Sequence, residues 1–250
     1  SYGLICGDLI GHLANVISVI YQILKSGLKL NILSFTKLKY VFSKYVEYPK
    51  FNIIPSVMSA CSYLLPAIFI NKFYSSENTG FFDLSKLVLS IPFALIATSI
   101  SNVLLQRVAE KLKNGESFVK ELLPIVTFVS VIAAIEIVII SLFGVDLFRL
   151  VFGEQWKISG QISRILVWSF ALNFVAGSFS SIFISMGKIK LLSVWQLVYF
   201  IAILCLFLFK DYSFIDFLKV YVLIEIICYI LISILMIIII SGYEFKIKHS

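Results

Sequence analysis

The chain has 250 residues, of which 60% are hydrophobic and only 14% charged, with a formal net charge of +7 and a mean hydropathy of +1.00. A water-soluble domain carries about a quarter charged residues, so this composition excludes an ordinary soluble domain. The positive balance invites a nucleic-acid reading, which its distribution along the chain argues against.

Seven apolar spans emerge in order, at roughly 2–24, 52–71, 82–105, 122–143, 163–185, 189–209 and 217–241. Crossing a bilayer takes roughly 20 residues of helix. Strands of a barrel would be shorter and would alternate, whereas these runs are continuous. The expectation is an all-α integral membrane protein with about seven transmembrane helices.

In the first span Asp8, Gly11, His12, Asn15, Ser18 and Gln22 recur every three or four residues, which places them on one helix face. One reading is an inter-helix hydrogen-bonding seam. The other is that Asp8 and His12 share a proton as coupling-ion residues. Residues 25–50, "KSGLKLNILSFTKLKYVFSKYVEYPK", carry too many lysines to span. Leu30, Leu33, Leu38, Val41, Phe42 and Tyr45 recur at approximately helical spacing, which suits a short helix lying on an anionic cytoplasmic leaflet. A basic linker without fixed structure is the alternative. The connector divides the chain into a transmembrane helix at 1–24, the segment 25–50, and a six-helix lobe at 51–250.

The stretch "GFFDLSKLVLSIPFALIATSISNVLLQR" holds Asp83, Lys86 and Pro92. Asp83 is expected in the first turn of its helix, where free amides and the dipole favour an acid. Lys86 would pair with it or snorkel outward, or else meet an anionic substrate in a hydrated cavity. Pro92 removes a helical hydrogen bond and should act as a hinge. At the far end Gln106 and Arg107 are placed to touch phosphates. Glu136 in "VIAAIEIVII" and Glu225 in "VYVLIEIICYI" sit at span centres, where a charge costs roughly 2.5–3.5 kcal/mol on insertion scales. Each is protonated, paired or facing water, which makes both coupling-ion candidates beside the plainer reading of an acid in a helix seam. Arg164 would pair with an acid near the outer end of its span.

The four cysteines, Cys6, Cys61, Cys205 and Cys228, lie within apolar spans without CxxC spacing and read as small buried hydrophobes. No HExxH, GxSxG, Walker or Cys/His metal spacing occurs, so no catalytic residue, metal or cofactor is expected and the protein is not read as an enzyme. The chain begins at Ser1 without a signal peptide and reads as part of a longer protein.

Orientation follows from Lys and Arg in alternate connectors. One set holds Lys25, Lys29, Lys37, Lys39, Lys44, Lys50, Arg107, Lys111, Lys113, Lys120, Lys188, Lys190, Lys246 and Lys248. The other holds only Lys72, Arg149, Lys157 and Lys210, with Lys86, Arg164 and Lys219 between. The first set, with the C-terminus, is expected to be cytoplasmic, and topology accounts for the positive charge without nucleic acid.

Three stretches together resemble the flippases that move O-antigen and related polysaccharide repeat units, within the multidrug/oligosaccharidyl-lipid/polysaccharide exporter superfamily. They are "YPKFNIIPSVMSACSYLLPAIFINKF", "GFFDLSKLVLSIPFALIATSISNVLLQRVAE" and "VFGEQWKISGQISRILVWSFALNFVAGSFSSIFISMGK", the last with Phe152, Gly153, Trp156 and Gly160 in a Phe–Gly–x–x–Trp–x–x–Gly loop. The resemblance implies a twelve-helix transporter, of which this chain would supply the sixth helix and the second six-helix lobe, its first lobe missing. It also implies translocation of undecaprenyl-pyrophosphate-linked oligosaccharide across the bacterial cytoplasmic (inner) membrane. Asp83, Lys86, Arg107 and Arg164 would then be candidate cavity residues, with a proton or sodium gradient as driving force. Implied partners are the lipid-linked oligosaccharide, membrane lipids, the missing N-terminal lobe and a polysaccharide polymerase. Alternatives are another exporter of the superfamily, for a peptidoglycan precursor or in drug/cation antiport, or a membrane enzyme of polysaccharide assembly. A drug exporter would place acids in its cavity, and an enzyme would need a long external loop or a catalytic histidine; the longest external connector is expected at about 144–162.

Overall fold

The computed structural model describes residues 2–25, 34–45 and 47–248, and among them every regular element is helical. Helices α1 (Tyr2–Lys25), α2 (Phe35–Tyr45), α3 (Glu47–Phe73), α4 (Ser76–Asn114), α5 (Val119–Phe152), α6 (Lys157–Ser178), α7 (Ser181–Ser185), α8 (Ile189–Leu204) and α9 (Phe214–Lys248) follow in order. Short 3₁₀ turns occupy Glu154–Trp156 and Cys205–Phe209. Among the described residues seven segments are long and apolar enough to cross a membrane, and they coincide with the seven expected spans. This is a multi-pass membrane protein.

The chain divides into two units, Ser1–Pro49 and Lys50–Ser250. In the first, α1 carries Leu9, Ile10, Leu13, Val16, Ile17 and Ile20 between its polar positions, which gives it the apolar character of a span. Its polar stripe forms as expected: His12 Nε2 lies 3.8 Å from Asp8 Oδ1, and Gln22 Nε2 donates to Ser18 Oγ at 3.4 Å. The lysine-bearing segment contains helix α2, while Leu30 and Leu33 lie outside the described residues.

In the second unit α6 is the central helix, packed against α4, α5 and α9. It buries small residues on more than one side, Ser159, Gly160, Ser163, Ala171 and Ser178 towards one and Ser169 and Ala176 towards another, which lets neighbouring backbones come close. A Cβ on Gly160 would sit 2.6 Å from Val145 Cα and 2.8 Å from the Gly144 carbonyl oxygen, so only glycine permits this α5–α6 crossing. Ser85 Oγ of α4 donates to the Ser159 carbonyl at 2.8 Å, and Phe93 of α4 stacks on Phe174 of α6 with ring centroids 4.1 Å apart.

Three local expectations are corrected. Helix α4 begins at Ser76, capped by Ser75 Oγ accepting from Asn78 N, so its first-turn acid is Glu77 and Asp83 lies two turns deeper. Membrane helices need not stop at the membrane edge, and polar capping outside it lengthens them. For the same reason the region expected as a connector at 144–162 is largely helix. Helix α5 runs to Phe152, Gly153 turns the chain at φ +102°, and α6 starts at Lys157. The span expected as one helix at 163–185 is broken at Phe179–Ser180 into α6 and α7.

Side-chain ties fix which helix ends share a side. Tyr74 donates to the Tyr212 carbonyl at 2.9 Å, and Phe81 meets Trp156 edge to face at 5.7 Å, joining the α3–α4, α5–α6 and α8–α9 turns at one end. At the other end Ser117 Oγ donates to Glu244 Oε1 at 3.0 Å and Tyr243 Oη donates to the Glu116 carbonyl at 3.2 Å. Gly115, at φ +69°, closes α4 there, with Glu116 N donating to the Lys111 carbonyl.

Candidate functional site

Two features of the second unit concentrate polar chemistry within the span. The first is a buried charged cluster. Lys86 is 3% exposed; its Nζ donates to the Tyr63 carbonyl at 2.7 Å and lies 3.6 Å from the centre of the Tyr63 ring. Glu225 is 4% exposed, and its Oε1 accepts from Tyr221 Oη at 2.8 Å and Tyr199 Oη at 3.0 Å. Tyr229 Oη reaches Tyr199 Oη at 3.5 Å. The buried lysine is held by Tyr63 and the buried glutamate by Tyr221 and Tyr199, so each sits in its own aromatic or hydroxyl surround. Tyr221, Glu225 and Tyr229 are four residues apart on α9, so one helix face delivers all three.

The second feature is a pair of adjoining cavities. One, of about 410 Å³, is lined by Ser90, Thr98, Ser101, Asn102 and Asn173 around Phe93 and Phe174. The other, of about 380 Å³, is lined by Ser59, Asn173 and Gln196 around Trp195, Tyr199 and Tyr229. Asn173, Gly177 and Ser180 of α6 and its C-terminal turn belong to both. No lysine, arginine, aspartate or glutamate appears among the described residues lining either one. Hydroxyls and amides supply donors and acceptors without a fixed charge, and the aromatic rings supply flat apolar surface.

The residues singled out from sequence are not brought together. Asp83 is exposed on α4 and makes no ion pair with the buried Lys86. Arg107 is exposed at the end of α4 and lines a separate charged pocket with Glu110, Lys111, Asn114, Glu116 and Glu121. There Lys111 Nζ lies 2.6 Å from Glu116 Oε2 and 3.6 Å from Glu121 Oε1. Its hydrogen bond and charge hold the Glu116 carboxyl below the usual glutamate range. Arg164 turns to α5, where Nη2 donates to the Leu142 carbonyl at 2.8 Å while its Nε has no partner. Glu136 is half-buried on α5 with Oε2 unpartnered. Asp8 and His12 belong to the first unit. Helix α4 runs through Pro92 without interruption, and Thr98 and Ser99 donate back to the Ala94 and Leu95 carbonyls in the following turns. Among the described residues no group of histidine, cysteine, aspartate or glutamate is arranged to hold a metal ion.

Sequence reasoning missed Tyr199, Tyr221 and Tyr229 around Glu225, and Trp195, Gln196 and Asn173 in the cavity. The four-residue spacing of Tyr221, Glu225 and Tyr229 was a usable signal; nothing in the sequence sets Asn173 or Gln196 apart from other neutral polar residues in membrane helices.

No curated protein and no solved structure is significantly similar to the chain. Residues 1–161 match a family described as polysaccharide biosynthesis protein. That match covers α1 to α5 and the Phe152–Gly153–x–x–Trp156–x–x–Gly160 turn, in which Gly153 ends one helix, Trp156 docks on Phe81 and Gly160 admits the α5 backbone. With a multi-pass fold and a match over well more than half its length, the chain belongs to the polysaccharide biosynthesis protein family, with a general role in polysaccharide synthesis or export.

Proposed function

We propose that the protein moves undecaprenyl-pyrophosphate-linked oligosaccharide repeat units across the bacterial cytoplasmic membrane, from the cytoplasmic to the external leaflet. The observation that carries this reading is the neutral hydroxyl-and-amide lining of the two adjoining cavities, within the span of a polysaccharide biosynthesis protein. A glycan headgroup is too polar to cross hydrocarbon, because each hydroxyl would lose its water hydrogen bonds at a cost of several kcal/mol. Ser90, Ser101, Asn102, Asn173 and Gln196 offer replacements along a path that penetrates the helix bundle. The polyprenyl tail needs no such path and stays in lipid. Acidic cavity walls, which a cation exporter would require, have no counterpart in this lining.

On this reading a first lobe of the same protein completes the cavity, and the C-terminus lies in the cytoplasm with the lysine-rich ends. Translocation makes and breaks no covalent bond, so no catalytic residue is assigned. Coupling to a proton or sodium gradient falls to Glu225, an acid buried within the bundle.

The test is delivery in a bacterial strain that lacks its own repeat-unit flippase but assembles the matching lipid-linked glycan. Expression of the full-length protein should expose that glycan to an externally added lectin in spheroplasts. If correctly inserted protein leaves all the glycan on the inner leaflet, the proposal fails.

A further inference from the structure

Gln196 of α8 is 9% exposed, and its Nε2 has no hydrogen-bond partner although it lies within the wall of the second cavity. A buried amide left unpaired costs about 1–3 kcal/mol, so a fold that keeps one has a use for it. Beside it stand three ordered rings. Trp195 and Tyr199 are stacked at 5.5 Å with planes 3° apart, and Tyr229 tilts against them at 6.2 and 5.8 Å. Two of the rings are anchored outside the stack, Trp195 Nε1 donating to the Cys228 carbonyl at 2.9 Å and Tyr199 Oη to Glu225, and Tyr229 Oη donates to Tyr199 Oη at 3.5 Å. Their conformations are therefore set before any ligand arrives, and little side-chain freedom remains to be lost on binding.

We infer that this cavity is a saccharide subsite, in which Gln196 donates its amide N–H to a ring or hydroxyl oxygen of a sugar whose C–H face lies against the Trp195 and Tyr229 rings. The inference rests on the lipid-linked glycan reading above and assigns the part of the cargo bound here. Phosphate or pyrophosphate is disfavoured because no cation lines the cavity among the described residues. A prenyl tail is disfavoured because it would leave the Gln196 amide unpaired. A pyranose presents an apolar face and a rim of hydroxyls, which are the two surfaces the cavity offers. The volume of about 380 Å³ falls in the range of ~300–1,000 Å³ usual for small-ligand sites.

The experiment is saturation-transfer NMR on the full-length protein in lipid nanodiscs, with a panel of methyl glycosides as probes and sodium pyrophosphate as the contrast. At least one methyl glycoside should bind saturably and pyrophosphate should not. Gln196→Leu should weaken that binding about tenfold, the loss of one hydrogen bond. The same variant should raise thermal stability, because it removes an unpaired buried polar group. A merely structural glutamine would instead lower both. Binding unchanged in Gln196→Leu, or no response to any glycoside, overturns the subsite. The two readings separate cleanly. Delivery in spheroplasts without glycoside binding rejects the subsite alone, and glycoside binding without delivery rejects flipping alone.

Discussion

Lys86 reaches neither the membrane edge nor Asp83, because its ammonium is held by the Tyr63 carbonyl and ring inside the bundle. The Glu225 carboxyl is buried as well, with the Tyr199 and Tyr221 hydroxyls satisfying one of its oxygens. Where two buried charges compensate each other, removing one leaves the other unpaired in a low-dielectric interior. Lys86→Met and Glu225→Gln should therefore each destabilise more than their combination predicts, with a coupling of about 0.5–3 kcal/mol in a double-mutant cycle of unfolding in detergent. Strict additivity would show that the two charges do not sense each other. At the same scale, Lys86→Ala should reduce glycan delivery in spheroplasts severalfold while membrane insertion stays intact. Wild-type delivery by that variant would remove Lys86 from the transport cycle.

Among the helices, the α5–α6 crossing is the tightest junction, and its geometry depends on two glycines. Gly160→Ala would drive a methyl to within 2.6 Å of the Val145 Cα, against backbone that cannot rotate away. Gly144→Ala meets its neighbours at 3.3 Å, where the Ile140 and Ser163 side chains can yield. Overpacking of this kind costs typically ~1–3 kcal/mol, so Gly160→Ala should lower the thermal midpoint clearly and Gly144→Ala much less. The reverse order would mean that α5 and α6 cross elsewhere.

At the largest scale, the second unit places its charges by end. The Tyr74–Tyr212 and Phe81–Trp156 contacts gather the turns near Lys72, Arg149, Lys157 and Lys210, while the Ser117–Glu244 and Tyr243–Glu116 contacts gather Arg107, Lys111, Lys113, Lys120, Lys246 and Lys248. The lysine-poor and lysine-rich ends of the second unit are thus physically separate, as retention of positive charge in the cytoplasm requires. In a background with Cys6, Cys61, Cys205 and Cys228 replaced by serine, a cysteine at Tyr212 should react with an impermeant maleimide in intact cells. A cysteine at Asn114 should react only after lysis. Equal labelling of both would refute the assigned orientation.

The sequence by itself determined the membrane class and the seven spans, because twenty apolar residues in a row have one stable answer in hydrocarbon, a hydrogen-bonded helix. It also determined the likeness carried by Phe152, Gly153, Trp156 and Gly160, since a left-handed turn and a close helix crossing demand glycine wherever they occur. The tertiary structure alone decided which polar residues meet. Asp83 and Lys86, three apart on α4, differ in burial, Asp83 exposed and Lys86 buried against Tyr63, whereas Tyr199 of α8 and Tyr221 of α9 both reach Glu225. The unpartnered amide of Gln196 was equally invisible, because a missing hydrogen bond is a property of the surroundings and not of the residue.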